Sequence, residues 1–165
     1  MIVKDDIVIV FGLLHEHEAI RQNAMHIKNA INEPEAKFLQ TAGQWSEELV
    51  KEITTAYGNV KIAMLNINQG LQRHFEKEEK DLAPLIGSLL TKALGQEHSE
   101  LLDKFTKARL LVNESNLENL SREELLARSY DIRNAAISIF DQIESHIAKE
   151  DVILQLLRRI ITTQI

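Results

Sequence analysis

The chain has 165 residues, a formal net charge of −6 and no cysteine. That length allows a single domain over residues 1–165 with a real core, and 44% apolar with 27% charged residues is the balance of an ordinary globular protein. Without cysteine there are no disulfides, thiolate zinc sites, sulfur-ligated iron clusters, c-type haem attachment or Cys nucleophile.

Lys and Arg are scattered, so neither nucleic acid nor an anionic membrane is an expected partner. The apolar run Ile7 to Leu14 follows Asp5 and Asp6 and precedes His15-Glu16-His17-Glu18. A secretory leader needs basic residues before such a run and small ones after it. No stretch approaches the ~20 apolar residues of a spanning helix. The expectation is a cytoplasmic protein.

Two prolines and six glycines leave long stretches without breakers, and apolar residues recur at steps of three and four, the signature of helices sharing a buried seam. The first helix reads Val10, Leu13, His17, Ile20, Ala24, Ile27, Ile31 and should end near Asn32-Glu33-Pro34. The β-branched Ile7-Val8-Ile9-Val10 is assigned to this helix because no partner strand exists elsewhere. A second helix reads Phe38, Ala42, Trp45, Leu49, Ile53, Ala56 and should break at Tyr57-Gly58-Asn59.

The third reads Val60, Met64, Ile67, Leu71, His74, Glu78 and should stop or kink before Pro84. The fourth reads Leu94, His98, Leu101, Phe105, Ala108, Val112, with a loop expected at Asn113-Glu114-Ser115-Asn116. Ser121 and Glu124 have the spacing of a capping box. The last helix then carries Ile132, Ala136, Ile139, Ile143, His146, Glu150, Ile153, Leu157, Ile160.

A weak internal repeat runs through this pattern. Glu16-His17-Glu18 matches Glu97-His98-Ser99, and the segment from His74 to Glu79 matches that from His146 to Asp151. Each half is a helix with one seam histidine followed by a helix carrying His-x-x-x-Glu. Of six histidines, His17, His74, His98 and His146 fall on the seams of four different helices, whereas His15 and His26 do not. Glu78 and Glu150 lie one helical turn after their histidines, on the same face.

A lone core histidine is usually just hydrogen-bonded, and a seam glutamate is often a misplaced surface residue. Four histidines and two glutamates repeated at one spacing are different, because burying them is costly unless a cation satisfies them. Imidazole and carboxylate without sulfur suit iron or manganese and, less specifically, zinc. A structural zinc needs four ligands, so six groups favour two metals bridged by the carboxylates. Without a cation, desolvation and like-charge repulsion are expected to raise the Glu pKa values and loosen the helices. Glu76, Glu79, Glu100 and Asp103 read as solvated carboxylates or supports behind the ligands.

His17, His74-x-x-x-Glu78 followed by Glu79 and Pro84, His98, and His146-x-x-x-Glu150 together resemble the hemerythrin-like, His-His-Glu cation-binding family. The resemblance covers about residues 10 to 157. It implies an all-α, up-down four-helix bundle, here with one additional helix, at about residues 35–56, between the first and second core helices. It also implies two iron ions with a bridging oxygen species, bound by His17, His74, Glu78, His98, His146 and Glu150, with manganese or zinc second in order.

The family's oxygen carriers have a second histidine where this chain has Leu102, which leaves room for another exogenous ligand. They also place an acid at the spacing of Asp151. Glu150 is preferred as the second bridge because it lies on the seam, about 100° from Asp151. The function so implied is binding or sensing of a small ligand such as dioxygen, nitric oxide or peroxide, or the handling of iron. The alternatives are a di-iron oxidoreductase or an iron–sulfur cluster repair protein, whose relatives commonly carry a Cys-containing N-terminal segment absent here, and a structural bundle binding zinc or nothing. A homodimer is compatible with any of these.

Overall fold

A computed structural model describes residues 4–40, 44–114, 117 and 119–163. It contains four long helices and one single-turn helix: α1 (Lys4–Gln40), α2 (Glu47–Asp81), α3 (Ala83–Ile86), α4 (Ser88–Glu114) and α5 (Arg122–Thr163). No strand occurs among the described residues, so Ile7 to Val10 are helical, as their lack of a partner predicts. No helix there is long and apolar enough to cross a membrane.

The long helices pack in a ring, α1 against α2 and α5, and α4 against α2 and α5. Side-chain pairs fix their directions. Along α1 and α5, His17 meets Asp151 while Lys28 meets Asp141, so the two run antiparallel. Glu16 with Lys77 and Lys37 with Glu52 make α1 and α2 antiparallel, and Glu97 with Lys149 and Lys104 with Gln142 do the same for α4 and α5.

The ends follow local chemistry. Ser46 caps α2 by accepting from the Leu49 N–H at 3.1 Å, with Glu47 and Glu48 in the positive first turn. The capping box expected at α5 is formed: Glu124 accepts from the Ser121 N–H at 2.9 Å and Ser121 accepts from the Glu124 N–H at 3.3 Å. Pro84 opens α3, and Gly87, at φ 79°, closes it. Asn113 and Glu114 end α4 rather than beginning a loop; Ser115 and Asn116 lie outside the described residues.

Among the described residues no additional, separate helix stands at about 35–56. The first part of that span belongs to α1, which runs through Pro34 to Gln40, and the second to α2, which runs through Gly58. Trp45 precedes the cap of α2 and is not on its seam; Ala42 lies outside the described residues. Packing explains the continuity. Ile31, Pro34 and Phe38 keep the three-and-four spacing, and Pro34 is itself buried. Arg133 of α5 holds both flanks, donating to Asn32 Oδ1 at 2.9 Å and pairing with Glu35 at 3.3 Å. In α2, buried Ile53, Tyr57, Val60 and Met64 carry the seam past exposed Gly58. The greater spacing of His17 from His74 than of His98 from His146 is therefore extra length in the α1–α2 pair.

The core is split in two. The larger apolar cluster draws on all four long helices, including Ile31, Leu71, Phe105 and Ile143. A smaller one contains Val10, Leu13, Leu82, Leu94, Leu154 and Ile161. Between them in every long helix stands the histidine-bearing turn: His17 after Leu13, His74 and Glu78 before Leu82, His98 after Leu94, His146 and Glu150 before Leu154.

Gly58 has no atom within 4 Å of where a Cβ would stand, so only its helix propensity counts. Gly58→Ala should stabilise the protein by about 0.5–1 kcal/mol, a rise of up to about 4 °C in Tm for a domain of this size. A lower Tm would mean that α2 is interrupted there.

Candidate metal centre

The structure brings the six seam residues together. His17 and Glu78 have no exposed surface, His98, His146 and Glu150 have 1% each, and His74 has 4%. They form two groups of four whose donor atoms all lie within 4.8 Å of one another: His17, His74, Glu78 and Glu150, and Glu78, His98, His146 and Glu150. Both glutamates belong to both groups. Each imidazole pair belongs to one half of the internal repeat.

The separations suit cations. Glu78 Oε1 is 3.2 Å from His17 Nε2, and Glu78 Oε2 is 3.5 Å from the Nε2 of His74 and of His98. Glu150 Oε1 stands 3.1 Å from His98 Nε2 and 3.0 Å from His146 Nε2, with Oε2 3.4 Å from His17 Nε2. Two donors each about 2.1 Å from one ion stand about 3.0 Å apart at a right angle and about 3.4 Å apart at a tetrahedral one. His74 Nε2, His146 Nε2, Glu78 Oε2 and Glu150 Oε2 are buried without any hydrogen-bond partner. Such orphaned atoms cost about 1–3 kcal/mol each, more when charged, and a shared cation would satisfy them. These buried His and Glu groups can hold metal.

Asp151 has a different place from Glu150. It faces His17 from behind, with Oδ1 2.7 Å from Nδ1, and is held by Arg21 at 2.5 Å. The 100° between neighbouring helix positions separates the two carboxylates. The other imidazoles are approached in the same way. Glu16 Oε2 is 2.8 Å from His74 Nδ1, Glu79 Oε1 is 2.9 Å from His98 Nδ1, and Glu97 Oε2 is 3.5 Å from His146 Nδ1. Lys77 pairs with Glu16, and Lys149 with Glu97 at 2.5 Å. The Phe75 ring stacks on His98 at 4.0 Å, fixing its plane.

Sequence reasoning placed Glu79 among the supports but gave no role to Glu16, Glu97, Arg21, Lys77 or Lys149. The repeat carried the signal: Glu-His at 16–17 and 97–98, and Lys-Glu-acid at 77–79 and 149–151. Glu76 and Glu100 are exposed, and exposed Asp103 pairs with Lys107 at 2.7 Å. His15 and His26 are exposed, off the site, as their register predicts.

The expected rise in the glutamate pKa values is not what the site produces for Glu150. Burial pushes its carboxyl upward, but the facing imidazoles of His146, His17 and His98 outweigh it and hold the carboxyl well below the usual range. His17 and His98 take up protons instead. Burial opposes charge on His17, yet Glu150, Glu78 and Asp151 raise it to about 10. Burial likewise opposes charge on His98, and Glu150, Glu78 and Glu79 raise it to about 10. Four imidazoles facing two carboxylates relieve the repulsion that carboxylates alone would suffer.

No known protein family, curated protein or solved structure matches this chain. The resemblance to hemerythrin-like domains therefore stands on the residues themselves.

Metal loading at pH 7 should displace the protons held by His17 and His98, acidifying weakly buffered solution. Apparent affinity should climb as pH rises toward about 10, where the metal-free imidazoles become neutral. An indicator dye measures the release. Loading without it would show that both rings are neutral beforehand.

Proposed function

We propose that the chain is a hemerythrin-like, up-down four-helix bundle that holds two iron ions and binds or senses a small ligand such as dioxygen, nitric oxide or peroxide. The observation that carries this reading is the sharing of Glu78 and Glu150 by two groups of donors, each completed by its own pair of imidazoles. One ion would take His17 and His74, the other His98 and His146, with both carboxylates common to them. Nitrogen and oxygen donors more numerous than a structural zinc requires suit iron or manganese, and the resemblance to hemerythrin-like domains favours iron.

Bound iron would supply a Lewis-acidic, redox-active centre with exchangeable positions. The chain's own residues hold and shelter it. Six side chains do not fill two octahedral ions, so room remains for a small ligand. Leu102, partly buried against the larger apolar cluster, stands where a further imidazole would occupy one position. Leu13, Leu82, Leu94 and Leu154 close the layer on one side, and Leu71 and Phe75 belong to the cluster on the other. This surround excludes bulk water and favours a small neutral ligand over a charged substrate. We place such a protein in the cytoplasm, without nucleic-acid or membrane partners.

Protein purified without added metal should contain about two irons per chain. His74→Ala and Glu78→Ala should lower that content sharply, whereas His15→Ala and His26→Ala should not; equal losses at all four positions would defeat the assignment. Chelation should lower Tm by well over the ~2–4 °C that about 1 kcal/mol produces in a domain of this size. Azide or nitric oxide should change the absorption bands of the loaded protein at once, and Leu102→His should weaken that response. Zinc alone in the purified protein, or bands that ignore every small ligand, would leave a structural site. Turnover of peroxide or nitric oxide would make it an oxidoreductase.

A further inference from the structure

The four carboxylates behind the imidazoles follow one rule, which the ring order of the helices exposes. Glu16 of α1 meets His74 of α2; Glu79 of α2 meets His98 of α4; Glu97 of α4 meets His146 of α5; Asp151 of α5 meets His17 of α1. Each ligand-bearing helix supplies an acid to the next, and the circuit closes. We infer that Glu16, Glu79, Glu97 and Asp151 are the positioning residues of the centre, three through a hydrogen bond to Nδ1 and Glu97 more weakly from 3.5 Å, favouring the proton on Nδ1 with Nε2 turned toward Glu78 and Glu150. This rests on the metal reading above.

The geometry is specific to that role. In a neutral imidazole one ring nitrogen donates and the other offers its lone pair, and the partner of the first decides which is which. The Nδ1 atoms of His17, His74 and His98 are hydrogen-bonded to an outer carboxylate, that of His146 has Glu97 Oε2 at 3.5 Å without a hydrogen bond, and every Nε2 lies within 3.0–3.5 Å of the inner pair. An acceptor on the remote nitrogen also makes the near one a better metal donor. Three of the four acids are held in turn by a cation on the receiving helix, one turn beyond its histidine: Lys77 beyond His74, Lys149 beyond His146, Arg21 beyond His17.

At the fourth corner the repeat places Leu102 where Arg21 stands in the first half, and no Lys or Arg among the described residues reaches Glu79. Gly95 supports that corner differently. A Cβ there would stand 3.5 Å from the Glu79 carboxylate, in ordinary contact with it, so α4 passes close beside the acid. The side chain of Glu79 is 43% exposed, which makes it the substitution least able to disturb the fold.

The test compares metal dissociation constants, by chelator competition with cobalt(II), for the wild type and for Glu16→Gln, Glu79→Gln, Glu97→Gln and Asp151→Asn. Asp103→Asn, an exposed acid removed elsewhere on α4, serves as the charge control. Each ring variant should bind about 10–100-fold more weakly, with shifted cobalt absorption bands and unchanged helix content. The loss should be smallest at Glu97, the longest contact, and the control should match the wild type. If Glu79→Gln folds and keeps wild-type affinity and bands, or if the control loses as much as the ring variants, the positioning role is wrong and the acids act only through net charge. A wild type that binds no cobalt and contains no metal would instead overturn the metal reading itself.

Discussion

Two carboxylates, Glu78 and Glu150, are buried among four imidazoles in a layer that cuts the apolar core in two. Everything around them is arranged to make that burial tolerable. Isolated ionised groups in an apolar interior cost far more than a domain's marginal stability can bear. Here each glutamate faces imidazoles from three or four helices, and several donor atoms stay without protein partners. The layer gathers imidazoles and carboxylates around shared points, an arrangement that can hold metal.

The outer acids extend this constraint into the packing. Because each reaches across to the next helix, the polar layer ties α1, α2, α4 and α5 together at one level, while the apolar clusters above and below do so through contact alone. The cations Arg21, Lys77 and Lys149 offset the outer acids. Glu16 shows the effect: burial opposes its charge, but Lys77 and His74 together hold its carboxyl below the ordinary range. Glu97, against Lys149 and His146, behaves alike.

The centre was legible because it is built from helix faces. A histidine and the glutamate four residues later must share a face, and a histidine in phase with Leu13 or Leu101 must share theirs. The six residues could thus be chosen from spacing alone, and Asp151 could be set aside by its angle from Glu150. The outer acids were not legible in this way. Glu16 and Glu97 adjoin seam residues but reach histidines on other helices, and spacing within one helix says nothing about what lies across from it. Only the repetition of Glu-His and Lys-Glu-acid hinted at their role.

The sequence by itself marked most of the residues that face inward, because the 3.6-residue period is local; at the end of α5 it put the seam on Ile160, which is exposed, where packing buries Leu154 and Ile161. It also determined the capping box at Ser121 and the stop before Pro84, where backbone chemistry acts within a few residues. Tertiary structure decided where α1 and α2 end. Pro34 and Gly58 carry local penalties of about 3 and 1 kcal/mol in a helix, and isolated segments would break there. Buried Ile31, Ile53, Tyr57 and Val60, with partly buried Phe38, packed against neighbouring helices and braced by Arg133, outweigh those penalties. It also decided which acid stands behind which imidazole, since that depends on the order of helices around the ring and not on any one of them.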